Sequence, residues 1–521
     1  MSEHGFQFVI SPRDPVETLK IRLLRTFPLV DDGEMPRRRQ FYDTFDWRLY
    51  GKGLTLEEER TEQTRRIVMR DLRTGAVQRW AENLEMPRFA EELPRGPFRE
   101  RLASIIEMRA LLPVTEVRTH THQLRLRDRE DKTVARVEIE LAAAGFSHLQ
   151  RLGKRLQIVA VRGHPDPANQ LAAFATEHLH LEPASNSLLD EALASHGRTA
   201  QDYSSQPAVD LDPREPAHEA VRRILLRLAH TIEVNVQGTR EHVDTEYLHD
   251  LRVAVRRTRS MIGQLRSVFD RDQLRPYRDE FRWLGGITGP CRDLDVYLLA
   301  FDDLAAILPA SQRAALEPFR AYLQKRHVEE QRRLSEWLTS TRFRSLMSNW
   351  RDFLVHPGPL YESAPDAKRK LKKVADERIW HAYQVLRDRG RAIKPKTKAA
   401  RVHRLRIHAK KLRYLMEFFR GIYPRKKIGV YVGALKRLQQ NLGDFHDYHV
   451  QADALRKFAA GMAQEGPVDD ETLRAIEALA RGLGKKQKQA RKQFHNVFDD
   501  FDQQSNRALA RELFRPGKKK K

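Results

Sequence analysis

Cysteine is nearly missing from this chain, with one residue, Cys291, in 521. A lone thiol excludes an intrachain disulfide framework and any zinc site built on several cysteines, and it fits a reducing compartment. Long apolar runs are missing as well. No stretch approaches the roughly 20 residues that cross a bilayer, and the opening residues lack the apolar core of a secretory signal, so a cytoplasmic protein with no membrane partner is expected. Acids are in short supply: 71 Asp and Glu stand against 95 Lys and Arg, a formal charge of +24. Such an excess repels itself and favours polyanionic partners, namely nucleic acid, anionic surfaces or inorganic phosphate chains. Charge alone does not choose among them.

The length predicts two or three cores. Up to about residue 195 the pattern is mixed, with short alternating runs. Thr133 to Leu141 sets Val137, Ile139 and Leu141 on one face and Arg136, Glu138 and Glu140 on the other, as a half-buried strand would, and Val117 to Arg127 reads as its partner. Residues 196–216 are polar and rich in Pro and Ser, which marks a linker. From 217 to about 513 strand signals fade, and amphipathic helices separated by Pro or Gly dominate, with halves at about 217–355 and 366–513. Residues 514–521 end in four lysines and read as a basic tail.

The helical region repeats itself. The run from His249 to Arg259 aligns with that from His403 to Arg413 at an offset of 154, and the offset persists without a gap through Leu284 on Leu438, Gly289 on Gly443 and Asp293 on Asp447. On a helix, His249, Arg252, Arg256 and Arg259 form one stripe beside an apolar stripe of Leu248, Leu251, Val255, Ile262 and Leu265. The second copy sets His403, Arg406, Lys410 and Arg413 against Leu405, Ala409, Leu412 and Met416. Arg257 and Lys411 widen each basic face. Rows of like charge destabilise a helix by a few tenths of a kcal/mol per pair, and these helices contain few acids to relieve them. One such row is ordinarily a solvated face; its recurrence in both copies argues for an anion between them. Arg227 and Arg378, each followed three residues later by His, are weaker candidates, as is the basic cluster 368–373. His446, Asp447 and His449 do not read as a metal site, because the repeat preserves only the acid; Asp293 and Asp447 are expected to orient arginines. No metal or cofactor is expected in this region.

These two motif pairs resemble the CHAD domain, the conserved-histidine α-helical domain, over about residues 210 to 515. The resemblance implies two pseudo-symmetric four-helix bundles whose basic residues bind inorganic polyphosphate, with His249, Arg252, Arg256, Arg257 and Arg259 in one half and His403, Arg406, Lys410, Lys411 and Arg413 in the other. Ahead of it, Phe41 to Asp46, Gly53 to Leu56 and Val137 to Leu141 with Gly145 resemble the CYTH domain, a triphosphate-tunnel β-barrel in an α+β unit, here over residues 1–195. That family's opening metal-binding acids and its Leu-x-Arg-x-Arg clamp are replaced by Phe6 to Ile10 and by Leu56 to Arg60, which puts acids where cations belong. The CYTH-type triphosphatase motif is therefore lost and no catalytic residue is assigned. The resulting expectation is a polyphosphate-binding protein, with association to polyphosphate granules as the use it suggests. Two alternatives stand beside it: a triphosphate or polyphosphate hydrolase acting through the N-terminal domain, with Glu138 and Glu140 as surviving acids, and a general nucleic-acid binder.

Overall fold

The computed structural model describes residues 5–146, 148–161, 163–205, 209–356 and 363–516. The lysines of the expected basic tail, 518–521, lie outside them. Two compact units divide at Ser204 and Ser205.

The first unit is a nine-stranded, wholly antiparallel sheet in the order β5-β4-β3-β2-β6-β7-β8-β1-β9. Its strands are β1 (Gly5–Ile10), β2 (Leu29–Asp43), β3 (Leu54–Arg60), β4 (Arg65–Asp71), β5 (Val77–Glu82), β6 (Leu112–Arg127), β7 (Thr133–Ala144), β8 (Gln150–Ala160) and β9 (Glu182–Pro183). Helices α1 (Val16–Thr26), α2 (Pro97–Ile106), α3 (Pro165–Glu177) and α4 (Leu188–Ser195) accompany it. The expected strand pair is present as β6 and β7, with Val117 opposite Ala144 and Leu124 opposite Val137. On β7, Val137 and Ile139 enter a core with Leu156, Ile158 and Leu171, as alternation requires. The opposite face is not solvated as expected, since Glu140 is buried.

The segment read as a linker is packed at both ends. Trp47 Nε1 donates to Asp202 at 2.8 Å and Tyr203 is buried against Phe45, while Leu211 belongs to the helical core.

The second unit is all-helical, and its helices recur in order. The first half contains α5 (Ala217–Arg240), α6 (Thr245–Gln264), α7 (Arg271–Ile287), α8 (Gly289–Leu299), the short α9 (Phe301–Ala305) and α10 (Ala310–Arg313), then α11 (Glu317–Thr339) and α12 (Thr341–Val355). The second half contains α13 (Leu371–Arg391), α14 (Ala399–Phe418), α15 (Arg425–Glu465), α16 (Asp470–Phe501) and α17 (Gln504–Phe514). Four long helical segments and a shorter closing helix thus appear twice. One difference has a local cause. Pro290 has no amide proton for the Gly286 carbonyl, so the helix breaks between α7 and α8; its counterpart is Asp444, and α15 continues for 41 residues.

Both apolar stripes are buried as their periodicity predicts. Leu248, Leu251, Val255, Ile262 and Leu265 share one continuous core with Leu405, Ala409, Leu412 and Met416. Burying these faces in a common core brings α6 and α14 together and fixes where their basic faces emerge.

Candidate polyanion site

Asp244 caps α6, accepting from the amides of Glu246 and Tyr247 at 2.9 and 3.2 Å, which starts the helix immediately before the basic stripe. The ends of α6 and α14 nearest their histidines are built alike. Arg292 Nη2 donates to His249 Nδ1 at 3.0 Å; in the second half the equivalent position is His446, whose Nδ1 lies 3.1 Å from His403 Nδ1. Arg252 donates to Thr288 Oγ1 at 3.0 Å and to the Gly285 carbonyl at 3.3 Å, so it caps the turn that Pro290 interrupts. Arg406 instead donates to Asp447, at 2.9 and 3.3 Å. Asp447 thus orients an arginine directly. Asp293 is close enough to Arg252 and Arg292 to be stabilised by both, yet burial still raises its pKa above the ordinary carboxylate value. His446, Asp447 and His449 face three different partners, His403, Arg406 and Asp453, and do not converge.

Further along the same helices the basic faces meet. A cleft of about 430 Å³ is lined by Arg256 and Arg259 of α6, Lys410 and Lys411 of α14, and Arg278 and Arg282 of α7. Among the described residues, none that lines it is acidic. Arg282 pairs with Asp279 on its own helix, but no ion pair within 4 Å involves Arg256, Arg259, Arg278, Lys410 or Lys411 among the described residues. Five of the six cations are therefore close together with no carboxylate within ion-pair distance. Burial, then Arg406 and Arg256, pull the Lys410 pKa down to about 8, and Arg256 belongs to the opposite half. Burial and Arg282 likewise lower that of Arg259. Burial and neighbouring cations lower His403 as well, and take His446 to about 4.

Other candidates are occupied elsewhere. Glu417 accepts from Arg257 at 3.3 Å and forms an ion pair with Arg413 at 3.2 Å, and Arg257 also donates to the Ser205 carbonyl. Arg378 is held by Asp366 and Ser267 at 2.7 and 2.6 Å. Arg227 lies on α5 beside His230 and is not a lining residue of the cleft. Within 368–373, Arg369 pairs with Asp366 and Glu377, and Lys372 with Asp376. Arg278 and Arg282 were not anticipated; their i,i+4 spacing on the helix leading into the second motif was the available signal.

In the first unit the sheet interior holds a buried ion network. Arg37 and Arg39 of β2 and Arg70 of β4 face Glu57 and Glu59 of β3 and Glu138 and Glu140 of β7. Arg37 contacts Glu138 at 3.2 Å, and Arg39 pairs with Glu140. Burial would raise the Glu59 pKa, but Arg70, Arg37 and Arg39 outweigh it and hold the group ionised well below the ordinary range. A divalent metal, which the CYTH resemblance implies, does not fit this set: each carboxylate is already within ion-pair distance of a buried arginine.

The helical unit is thus a duplicated bundle with an uncompensated cationic cleft at the meeting of its halves. Residues 223–456 of it match the model of the CHAD domain family. No curated protein matches the chain. Among solved structures, the CHAD domain from the plant Ricinus communis is 27% identical over 60% of this chain and 98% of that one, with a TM-score of 0.47. PptA from Streptomyces chartreusis is 20% identical over 55% and 99%, with a TM-score of 0.42. The protein HpAC1 from Hippeastrum, described as having a dominant triphosphatase activity, is 12% identical over 39% and 100%, with a TM-score of 0.27. No helix of the described residues is long and apolar enough to cross a membrane.

Proposed function

We propose that the CHAD domain binds inorganic polyphosphate, with the chain lying in the cleft between α6 and α14. The observation that carries this reading is the row of unpaired cations contributed by both halves, Arg256 and Arg259 facing Lys410 and Lys411, with no acid in the lining. Guanidinium forks pair bidentately with phosphate oxygens and lysines act as mobile point charges, so a polymer of tetrahedral anions neutralises the row without base-specific contacts. His249, Arg252, His403 and Arg406 extend the same stripes towards the helix N-termini and are the next contacts for a longer chain. Asp447 holds Arg406 in place for that contact.

Among the described residues the one aromatic side chain lining the cleft is Tyr414, which is buried, so the cleft offers few of the stacking platforms that single-strand binders use. Affinity of the full chain should fall with salt and rise with polyphosphate length, because each added contact acts at high effective concentration. Polyphosphate should displace bound DNA readily and DNA should displace polyphosphate poorly. The reverse order would favour nucleic acid as the ligand.

A further inference from the structure

The sheet unit holds a cavity of about 620 Å³ with an amphipathic lining. That volume falls in the range of roughly 300–1,000 Å³ typical of small-molecule sites. Its apolar part is Trp80 of the edge strand β5, with Val68 of β4 directly opposite in register, and Val77, Val159 and Val161. Its polar part includes Arg66 of β4, Arg125 of β6 and Arg136 of β7. These three guanidinium groups reach solvent, whereas Arg37, Arg70 and Glu59, which also line the cavity, are buried. The cavity thus opens at the exposed arginines and ends on the ion network.

The pairing of these charges decides what the cavity can take. In the network, Arg37, Arg39 and Arg70 are answered by Glu57, Glu59, Glu138 and Glu140, so an anion pushed inward meets an excess of carboxylate. Nearer the opening, Arg125 is paired with Asp32, and Arg66 shares Glu59 with Arg70. Arg136 has no carboxylate within 4 Å among the described residues. It stands directly opposite Arg125 in the β6–β7 register, and like charges so placed destabilise a sheet. One anionic group at the opening relieves that repulsion. A triphosphate would carry further negative charge against Glu59 and Glu138.

Trp80 supplies the other half of the argument. Its indole is 56% exposed although it lines the cavity. A solvated arginine or a lone exposed indole is ordinary on a protein surface. Lining one cavity together, they offer the stacking face and the anion-pairing fork that a small organic anion needs. We propose that this cavity binds a planar aromatic molecule carrying a single anionic group, with its ring on Trp80 and its carboxylate or phosphate monoester at Arg136, beside Arg66 and Arg125. The sheet unit is then a small-molecule binding module in which the inward ion network sets the depth at which the anionic group stops.

The test uses the full chain and two probes, 2-naphthoate and 2-naphthyl phosphate, measured by equilibrium dialysis. At least one of them should bind once per chain, and the tighter of the two identifies the anionic group as carboxylate or phosphate monoester. Trp80→Ala and Arg136→Gln should each weaken that binding at least about tenfold, the scale of a lost stacking face or charge-assisted contact. Both residues are exposed, so neither substitution opens a hole in the core. The amine 2-naphthylmethylamine, with the same ring and the opposite charge, should bind more weakly. Arg256→Ala/Lys410→Ala should leave probe binding unchanged, so the result stands whether or not the helical unit binds polyphosphate. In that variant, tripolyphosphate at the probe's own concentration should not displace it. Failure of both probes to bind, unaltered affinity in Trp80→Ala or Arg136→Gln, or ready displacement by tripolyphosphate would overturn the proposal.

Discussion

Glu417 and Lys410 lie on the same helix and show how single residues sort charge paired within the fold from charge left without a carboxylate partner. Glu417 neutralises Arg413 four residues away and Arg257 from the other half, and so removes both from the cleft. Lys410 has no carboxylate within ion-pair distance, and burial, with Arg406 and Arg256, takes its pKa down to about 8 against the pull of Asp447. A lysine with a lowered folded-state pKa binds fewer protons folded than unfolded between about pH 8 and its ordinary value of 10.5, so the free protein gains stability as pH rises through that window. A polyanion reverses the sign by favouring the charged amine. Calorimetry of polyphosphate binding in buffers of different ionisation enthalpy should therefore show proton uptake at pH 8.5, absent in Lys410→Met. That variant should also melt higher than wild type without ligand, since it removes a partly buried charge with no carboxylate within ion-pair distance. Equal proton uptake in both proteins would contradict this assignment.

At the scale of elements, the stripes on α6 and α14 were legible because helical periodicity and the 154-residue repeat constrain the same residues twice. Their apolar faces are buried as read, and their cations Arg256, Arg259, Lys410 and Lys411 come together. What stayed hidden was pairing over long sequence separation: nothing local ties Arg257 to Glu417 or brings α7 to the cleft. The sheet repeats the lesson. Acids at 57–59 on β3 signalled a lost phosphate clamp, but the arginines that answer them come from β2 and β4, and only strand register sets them face to face. Removing one member should be costly. Glu59→Gln leaves buried Arg70 and Arg37 short of a carboxylate, which should destabilise the sheet unit by about 3–5 kcal/mol, read as a drop in its melting temperature. Because the folded-state pKa of Glu59 is lowered, its contribution is present above its ordinary value of 4.5 and is lost as pH falls through the folded value. An unchanged melting temperature at neutral pH would show that the network does not hold the sheet.

Across the whole molecule, the excess of 95 basic over 71 acidic residues is distributed unevenly in its pairing. The sheet interior and the 368–373 segment spend their cations on their own acids, whereas the cleft between the repeat halves leaves a row uncompensated. That contrast, rather than net charge, points to a linear polyanion. The most direct test is a titration of the full chain with long-chain polyphosphate at moderate salt. Arg256→Ala/Arg259→Ala/Lys410→Ala/Lys411→Ala is compared with Arg257→Ala/Arg378→Ala, which removes two cations that the structure commits to carboxylates. The account predicts a loss of affinity of at least about a hundredfold in the cleft variant, since charge-assisted contacts contribute about 1.5–3 kcal/mol each, and a change of less than about threefold in the other, which touches surface and half-buried pairs. Equal losses in the two variants would show that polyphosphate responds to net charge alone, and the cleft would not be its site.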